Sequence, residues 1–122
     1  MSSNSGSRPL VLVAEDEAII AIDLEDSLRT AGFDVAGPFT TCAAAQEWLK
    51  TSEPDAAIID DLLEDGPCDE VVADLSRKMV PTVIFSGHDE KRGTSEDWIV
   101  TWLTKPTAFP TLLEALRREM AQ

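Results

Sequence analysis

Polar residues that can carry phosphoryl chemistry stand at the ends of four short apolar runs in this chain. Glu15 and Asp16 follow LVLVA, Asp60 follows AAII, Ser86 follows TVIF, and Lys105 follows the run around WL. If these runs are parallel strands, their carboxyl ends lie along one edge of a sheet, where open α/β sheets bind ligands. An acid pair, a carboxylate nucleophile, a hydroxyl and an ammonium group would then share one crevice.

The carboxylates of Glu15, Asp16 and Asp60 would repel one another unless a cation lay among them. Oxygen ligands without His or Cys favour Mg²⁺, which is usually held by a few carboxylates together with phosphate oxygens. Such a cation would screen Asp60 from an incoming phosphoryl group, so that Asp60 could act as the nucleophile and form an acyl phosphate. Ser86 could donate a hydrogen bond to a phosphoryl oxygen, and Lys105 could supply positive charge opposite the metal.

Elements that would position these residues follow from an alternation of β-rich runs and amphipathic segments, the pattern of βα units around a parallel sheet. The pattern predicts an α/β domain with five strands and about five helices. Predicted strands cover residues 10–14, 33–36, 56–59, 82–85 and 99–103. Predicted helices cover 18–31, about 41–52, a segment around 71–75, and a last segment that begins near Pro110. Gly37 and Pro38 indicate a turn, and the polar stretch 88–97 predicts only a short or poorly formed helix.

Composition limits the class of protein. The length of 122 residues suits one domain with one core. A formal net charge of −13 with only 10 Lys and Arg argues against binding to nucleic acid. No apolar stretch is long enough to cross a bilayer and no secretory signal opens the chain, so we expect a cytoplasmic protein without membrane attachment. We expect a flexible tail over residues 1–8 and a single domain over residues 9–122.

Cysteine, histidine and tryptophan residues outside the four runs have simple interpretations. Cys42 and Cys68 have no CxxC spacing and no nearby histidine, so we expect two reduced thiols rather than a zinc site or a disulfide. His88 is expected to be incidental to the site. Trp48 and Trp98 are expected to pack against the core.

The motifs VLVAEDE, AAIID, VIFSG and WLTKP, in this order at predicted strand ends, resemble those of response-regulator receiver domains of two-component signalling, in the CheY-like superfamily. The resemblance extends from about Leu10 to Met120. It implies a doubly wound (βα)₅ α/β fold with a flavodoxin-like five-stranded parallel sheet and strand order 2-1-3-4-5. It also implies that Asp60 takes a phosphoryl group from a sensor histidine kinase or a histidine phosphotransfer protein, with Mg²⁺ as cofactor.

Site roles carry over from the family by position. The resemblance assigns metal binding to four groups, namely the carboxylates of Glu15, Asp16 and Asp60 and the backbone carbonyl of Leu62. It places Ser86 and Lys105 on the phosphoryl group, and Trp102 at the aromatic switch position. The bond between Lys105 and Pro106 resembles a junction that is often cis in this family.

Several positions depart from the family pattern. Asp61 stands where an apolar residue usually follows the acceptor, and strand alternation predicts that its side chain points away from Asp60. With Glu64 and Asp65 it is expected to form a solvated acidic loop. Trp102 is bulkier than the usual Tyr or Phe. The short segment between the hydroxyl and the lysine predicts a reshaped dimer face, so we expect a monomer or a weak dimer.

These features favour a stand-alone receiver whose phosphorylated form binds a downstream protein target, and which is not an enzyme. A phosphate sink or a receiver excised from a hybrid kinase would have the same sequence features. A small aspartate-based phosphatase is disfavoured, because those enzymes place a second acid two residues after the nucleophile, where this chain has Leu62. A phosphorylation-independent interaction module remains as an alternative.

Overall fold

The computed structural model describes residues 8–87 and 100–121 of the chain. In chain order its strands are β1 (Leu10–Ala14), β2 (Asp34–Phe39), β3 (Ala56–Asp60), β4 (Leu62–Leu63), β5 (Gly66–Pro67), β6 (Thr82–Ser86) and β7 (Val100–Thr104). Five of them form one parallel sheet in the order β2-β1-β3-β6-β7. The short strands β4 and β5 pair as a separate antiparallel hairpin. Counted over the sheet strands alone, the order is the predicted 2-1-3-4-5.

Helices connect these strands, as the alternating pattern predicts. They are α1 (Ala18–Thr30), α2 (Cys42–Leu49), α3 (Asp69–Arg77) and α4 (Phe109–Met120). The Thr41 hydroxyl caps α2 by accepting a hydrogen bond from the Ala44 amide at 3.1 Å. Gly32, with φ of +103°, turns the chain out of α1. The weak helix predicted at 88–97 lies outside the described residues, and none of the described helices could cross a membrane.

Two apolar clusters cover the two faces of the sheet. One cluster joins α2 and α3 to residues that include Leu12, Ile59 and Ile84. The other joins α1 and α4 to Val11, Val13, Ile58 and Val83. Every residue of β3 and β6 is buried, as expected for central parallel strands covered on both sides. Each large apolar side chain buried in this way contributes about 1.5–3 kcal/mol to folding.

The second strand is longer than predicted. Gly37 and Pro38 do not form a turn but lie inside β2, where the register with β1 shifts and β2 carries one extra residue. Gly37 is required there, because it has φ of +101° and an added Cβ would lie 2.8 Å from the Val13 carbonyl oxygen. The Gly37–Pro38 peptide bond is cis. Pairing with β1 therefore overrides the local turn preference of these two residues.

The prediction of two reduced thiols is wrong, because Cys42 and Cys68 form a disulfide with their Cα atoms 5.3 Å apart. Their sequence separation of 26 residues hides the fact that the fold places the first residue of α2 beside the residue that precedes α3. Asp65 strengthens the same junction, since its carboxylate accepts hydrogen bonds from the amides of Cys42 at 2.7 Å and Ala43 at 3.0 Å. These bonds hold the pKa of Asp65 below its ordinary value. Asp65 is thus exposed, as predicted, but it caps α2 rather than only meeting solvent.

Two further predictions concern the periphery. Trp48 packs against the core, and its ring lies 6.2 Å from that of Phe39, as expected. Arg8, predicted to belong to a flexible tail, contacts the fold through the carbonyl of Arg29 and the carboxylate of Asp34. Residues 1–7 lie outside the described part of the chain.

Candidate functional site

Three carboxylates meet at the carboxyl edge of the sheet. Glu15 and Asp16 directly follow β1, and Asp60 is the last residue of β3. Because Ala14 pairs with Ile59 in register, the two strand ends stand side by side. Each of the three acids offers an oxygen within 4.8 Å of the others. Glu15 and Asp60 are buried, while Asp16 is half-buried. The sequence prediction that these residues come together is therefore met by the geometry.

Lys105 supplies positive charge to this cluster. Its Nζ lies 2.9 Å from Asp60 Oδ2, 3.4 Å from Glu15 Oε1 and 3.6 Å from Glu17 Oε1. Burial by itself would lower the pKa of Lys105, but the hydrogen bond to Asp60 and the charges of Asp60 and Glu15 outweigh it, so the pKa is raised. The ammonium group therefore stays charged at neutral pH. The bond from Lys105 to Pro106 is cis, as the resemblance implies.

The environment of Glu15 disfavours its charged form, although Glu15 lies in the same cluster as Lys105, whose charged form is favoured. Burial is the largest cause and raises the pKa of Glu15 from 4.5 to about 7, with a smaller rise from Asp60 and a partial reduction by the hydrogen bond from the Glu17 amide. Within the described residues its buried Oε1 accepts no hydrogen bond. A buried carboxylate oxygen that accepts no hydrogen bond, and whose charged neighbour is the Lys105 ammonium at 3.4 Å, suits a hard divalent cation such as Mg²⁺ when other carboxylate oxygens lie beside it.

Both oxygens of Asp60 have defined neighbours. Oδ2 accepts a hydrogen bond from Lys105, and Oδ1 accepts one from the Leu62 amide at 3.1 Å. The carboxylate is thereby fixed in orientation at the mouth of the crevice. The Leu62 side chain is 46% exposed, and the metal-binding role of its carbonyl stays a prediction. Gly87 follows Ser86, and an added Cβ at Gly87 would have no neighbour within 4 Å among the described residues.

Ser86 and Asp61 form a contact that the sequence did not predict. The Ser86 hydroxyl donates a hydrogen bond to Asp61 Oδ2 at 3.3 Å, and both residues are buried. The prediction of a solvated Asp61 is therefore wrong. Asp60 pairs with Phe85 in the parallel register of β3 and β6. The residues that follow them, Asp61 and Ser86, therefore lie side by side. Asp61 is not among the clustered metal-type acids, which fits the prediction that its side chain points away from Asp60.

Trp102 lies on the sheet face that also carries Ile84 and α3. It is half-buried against that apolar cluster, and it pairs with Ile84, two residues before Ser86. Its buried indole N–H has no hydrogen-bond partner among the residues at 8–87 and 100–121. Its assignment as a switch residue stays a prediction. His88 and Trp98 lie outside the described residues.

Sequence comparison matches the chain to a transcriptional regulatory protein. No family model matches the chain. The chain is 31% identical over 111 residues to PdtaR, a transcriptional regulatory protein of Mycobacterium tuberculosis, and the match covers 87% of this chain and 54% of PdtaR. It thus spans about half the length of the curated relatives it matches.

Structural comparison gives close overall similarity. A response regulator receiver protein from Sinorhizobium medicae matches with a TM-score of 0.81 and 28% identity over 96% of this chain and 98% of that protein. The receiver domain of a sensor histidine kinase from Pseudomonas aeruginosa, solved with a magnesium ion in its active-site cleft, matches with a TM-score of 0.81 over 95% of this chain and 100% of that domain, at 18% identity. The second match supports the fold alone. The fold, the strand-end residues and these relatives agree, and together they support the interpretation of the chain as a CheY-like receiver domain of the response-regulator type.

Proposed function

We propose that this receiver accepts a phosphoryl group on Asp60 in a Mg²⁺-dependent reaction, from a histidine kinase or a histidine phosphotransfer protein. The observation that carries the proposal is the 2.9 Å contact between Asp60 and Lys105 inside the cluster of Glu15 and Asp16. A buried nucleophilic carboxylate here has a fixed orientation and a charged partner. Acidic neighbours supply hard oxygen ligands beside it.

Glu15, Asp16 and Asp60 would hold the cation, with the Leu62 carbonyl as a further ligand. When bound, Mg²⁺ neutralises charge on the acceptor and on the phosphoryl oxygens, which would otherwise repel each other. An oxygen of Asp60 attacks the phosphorus while the bond from phosphorus to the donor imidazole breaks, and the imidazole leaves neutral after taking up a proton. Lys105, already at Asp60 Oδ2, stabilises the added negative charge.

A protein donor also needs a surface beside the acceptor. Ile19 and Ile22 on α1 are 84% and 67% exposed, although large apolar side chains are usually buried. Ile19 borders a cleft of about 340 Å³ that reaches Lys105 and Phe109. An apolar surface next to the acceptor supports docking of a donor protein there, whereas a small phosphoryl donor would not need it.

The phosphorylated protein would signal by a population shift. Ser86 and Lys105 would move toward the phosphoryl group, and the surface near Trp102 would adopt a partner-binding arrangement. A downstream protein that prefers this arrangement would be the target. The function proposed is therefore that of a signalling domain rather than an enzyme.

Incubation with acetyl phosphate and Mg²⁺, followed by intact-mass measurement, tests the assignment of the acceptor. We expect one phosphoryl adduct in the wild type, none in Asp60→Asn, and none when Mg²⁺ is chelated. Asp61→Asn is the matched control, because it removes the neighbouring carboxylate and should still yield the adduct. An adduct that persists in Asp60→Asn would contradict the assignment. A wild type that forms no adduct and binds no beryllofluoride would favour a phosphorylation-independent interaction module.

A further inference from the structure

We propose that Asp61 is a positioning residue that holds the Ser86 hydroxyl in the unphosphorylated state, so that Ser86 must leave Asp61 before it can contact a phosphoryl group. The inference rests on the proposed function of Asp60 as acceptor. It gives a role to an acidic residue that lies outside the predicted metal and phosphoryl site.

The contact is well placed to act on the switch hydroxyl. Ser86 Oγ lies 3.3 Å from Asp61 Oδ2, and the two residues are only 2% and 7% exposed. The Asp61 amide donates a hydrogen bond to the Phe85 carbonyl at 2.7 Å, which fixes the backbone that carries the carboxylate. While this backbone hydrogen bond stays intact, only rotation of the Asp61 side chain itself can move the carboxylate away from Ser86.

The sheet register separates Ser86 from the acceptor. Alternate residues of a strand face opposite sides, so Ser86 continues the face of Ile84, while Asp60 continues the face of Ile58. Asp61 continues the same face as Ile84 and meets Ser86 there. The resting hydroxyl is thus directed toward Asp61, and the hydroxyl must rotate around the sheet edge to reach a phosphoryl oxygen on Asp60.

A serine hydroxyl has one hydrogen and donates to one strong acceptor at a time. The Asp61 carboxylate and a phosphoryl oxygen therefore compete for the same donor. At 3.3 Å the hydrogen bond from Ser86 to Asp61 is longer than a typical O–H···O bond, and its burial shields it from competing water. When Ser86 leaves Asp61, the lost hydrogen bond offsets part of the free energy gained from the new hydrogen bond to the phosphoryl group. This competition weakens binding of a phosphoryl mimic by roughly tenfold.

A double-mutant cycle with beryllofluoride and Mg²⁺ as the phosphoryl mimic tests this competition. Binding is measured by titration with tryptophan fluorescence for the wild type, Asp61→Leu, Ser86→Ala and the double variant. We expect Asp61→Leu to bind the mimic roughly tenfold more tightly than the wild type. In the Ser86→Ala background the same substitution should have a clearly smaller effect, because no hydroxyl is left to release.

Charge must be separated from hydrogen bonding, since Asp61 also adds negative charge near the site. Asp61→Asn keeps the shape and an acceptor oxygen but removes the charge, and it serves the same cycle if the leucine variant does not fold. The coupling free energy between Asp61→Asn and Ser86→Ala should have the same sign as the coupling measured with Asp61→Leu. It should be smaller, because the amide oxygen of Asn is a weaker acceptor than the carboxylate.

The outcomes are distinguishable. Equal effects of the Asp61 substitutions in both backgrounds would overturn the inference, because Asp61 would then act through charge alone. Weaker binding of the mimic by the Asp61 variants would overturn it as well. A wild type that takes neither beryllofluoride nor a phosphoryl group would refute the proposed function, and this inference with it. If the wild type binds beryllofluoride tightly and the effects of the Asp61 and Ser86 substitutions on binding are additive, only this inference is refuted and the proposed function stands.

Discussion

Substitution of Glu15 by Gln should change the stability of the protein in opposite directions without and with Mg²⁺. A carboxyl group whose pKa rises from 4.5 to about 7 on folding favours its neutral form in the folded state. The folded state then loses stability as the pH rises from the unfolded pKa through the folded one. At about 1.4 kcal/mol per pKa unit, the loss reaches roughly 3 kcal/mol at alkaline pH.

Glutamine removes this loss, because it keeps the shape of the side chain but cannot ionise. In chelator, we therefore expect Glu15→Gln and the wild type to be nearly equal in stability at about pH 4, below the unfolded pKa, and the variant to be more stable by roughly 3 kcal/mol at about pH 8. In saturating Mg²⁺ the order should reverse, since the cation binds the folded wild type and stabilises it by mass action. The variant lacks one carboxylate ligand and should gain much less.

Urea unfolding followed by far-UV circular dichroism, across this pH range and in both conditions, measures these differences. Glu17→Gln is the control, because Glu17 also faces Lys105 at 3.6 Å but its side chain is 64% exposed, so its substitution should have little pH-dependent effect. A stability difference for Glu15→Gln that does not vary with pH would refute the reasoning about burial. An equal stabilisation of both proteins by Mg²⁺ would refute Glu15 as a ligand.

Three other perturbations have defined outcomes. Replacing Cys42 and Cys68 by serine should lower the free energy of unfolding by about 3–4 kcal/mol, since the disulfide closes a loop of 26 residues; urea unfolding checks the loss, and free thiols in the folded wild type would contradict the bridge. Ile19→Asp should slow phosphotransfer from a histidine-phosphorylated donor protein that reacts with the wild type, while its reaction with acetyl phosphate should be unchanged; equal slowing of both would exclude a docking role. Asp65 has a lowered pKa, so it stabilises the fold above its unfolded pKa and loses that effect as the pH falls through the folded value; Asp65→Asn should therefore lower the melting temperature at neutral pH, with the difference from wild type vanishing in acid.

Predictions from sequence succeeded for the placement of residues at the ends of the strands, which depends on local pattern. Glu15, Asp60 and Lys105 each follow an apolar run, and parallel pairing brings such strand ends to one edge whatever the detailed packing. The strand order could not be read from the runs themselves and came from the family resemblance. The bounds of the strands and helices agreed to within a few residues because they depend on hydrophobic periodicity.

Predictions failed where the outcome depended on the relation between distant segments. Burial of Asp61 follows from the register between β3 and β6. The residues adjacent to Asp61 in the sequence do not indicate which residue of the other strand contacts it. The disulfide is hidden in the same way, because Cys42 and Cys68 meet only after two helices have docked. Gly37 shows the converse, since its local turn preference gave way to pairing with β1.

The bulge of β2 also bears on how copies of the protein behave at high concentration. β2 is an outer strand of the sheet, and outer strands offer unpaired backbone groups on which a second molecule can add a strand. Pro38 has no N–H to donate, and the shifted register at Gly37 interrupts the row of donors and acceptors. This protection resides in the backbone and not in side-chain charge. It therefore persists near the pI of about 4.2, where electrostatic repulsion between copies vanishes and colloidal stability must come from the shape of the exposed edge.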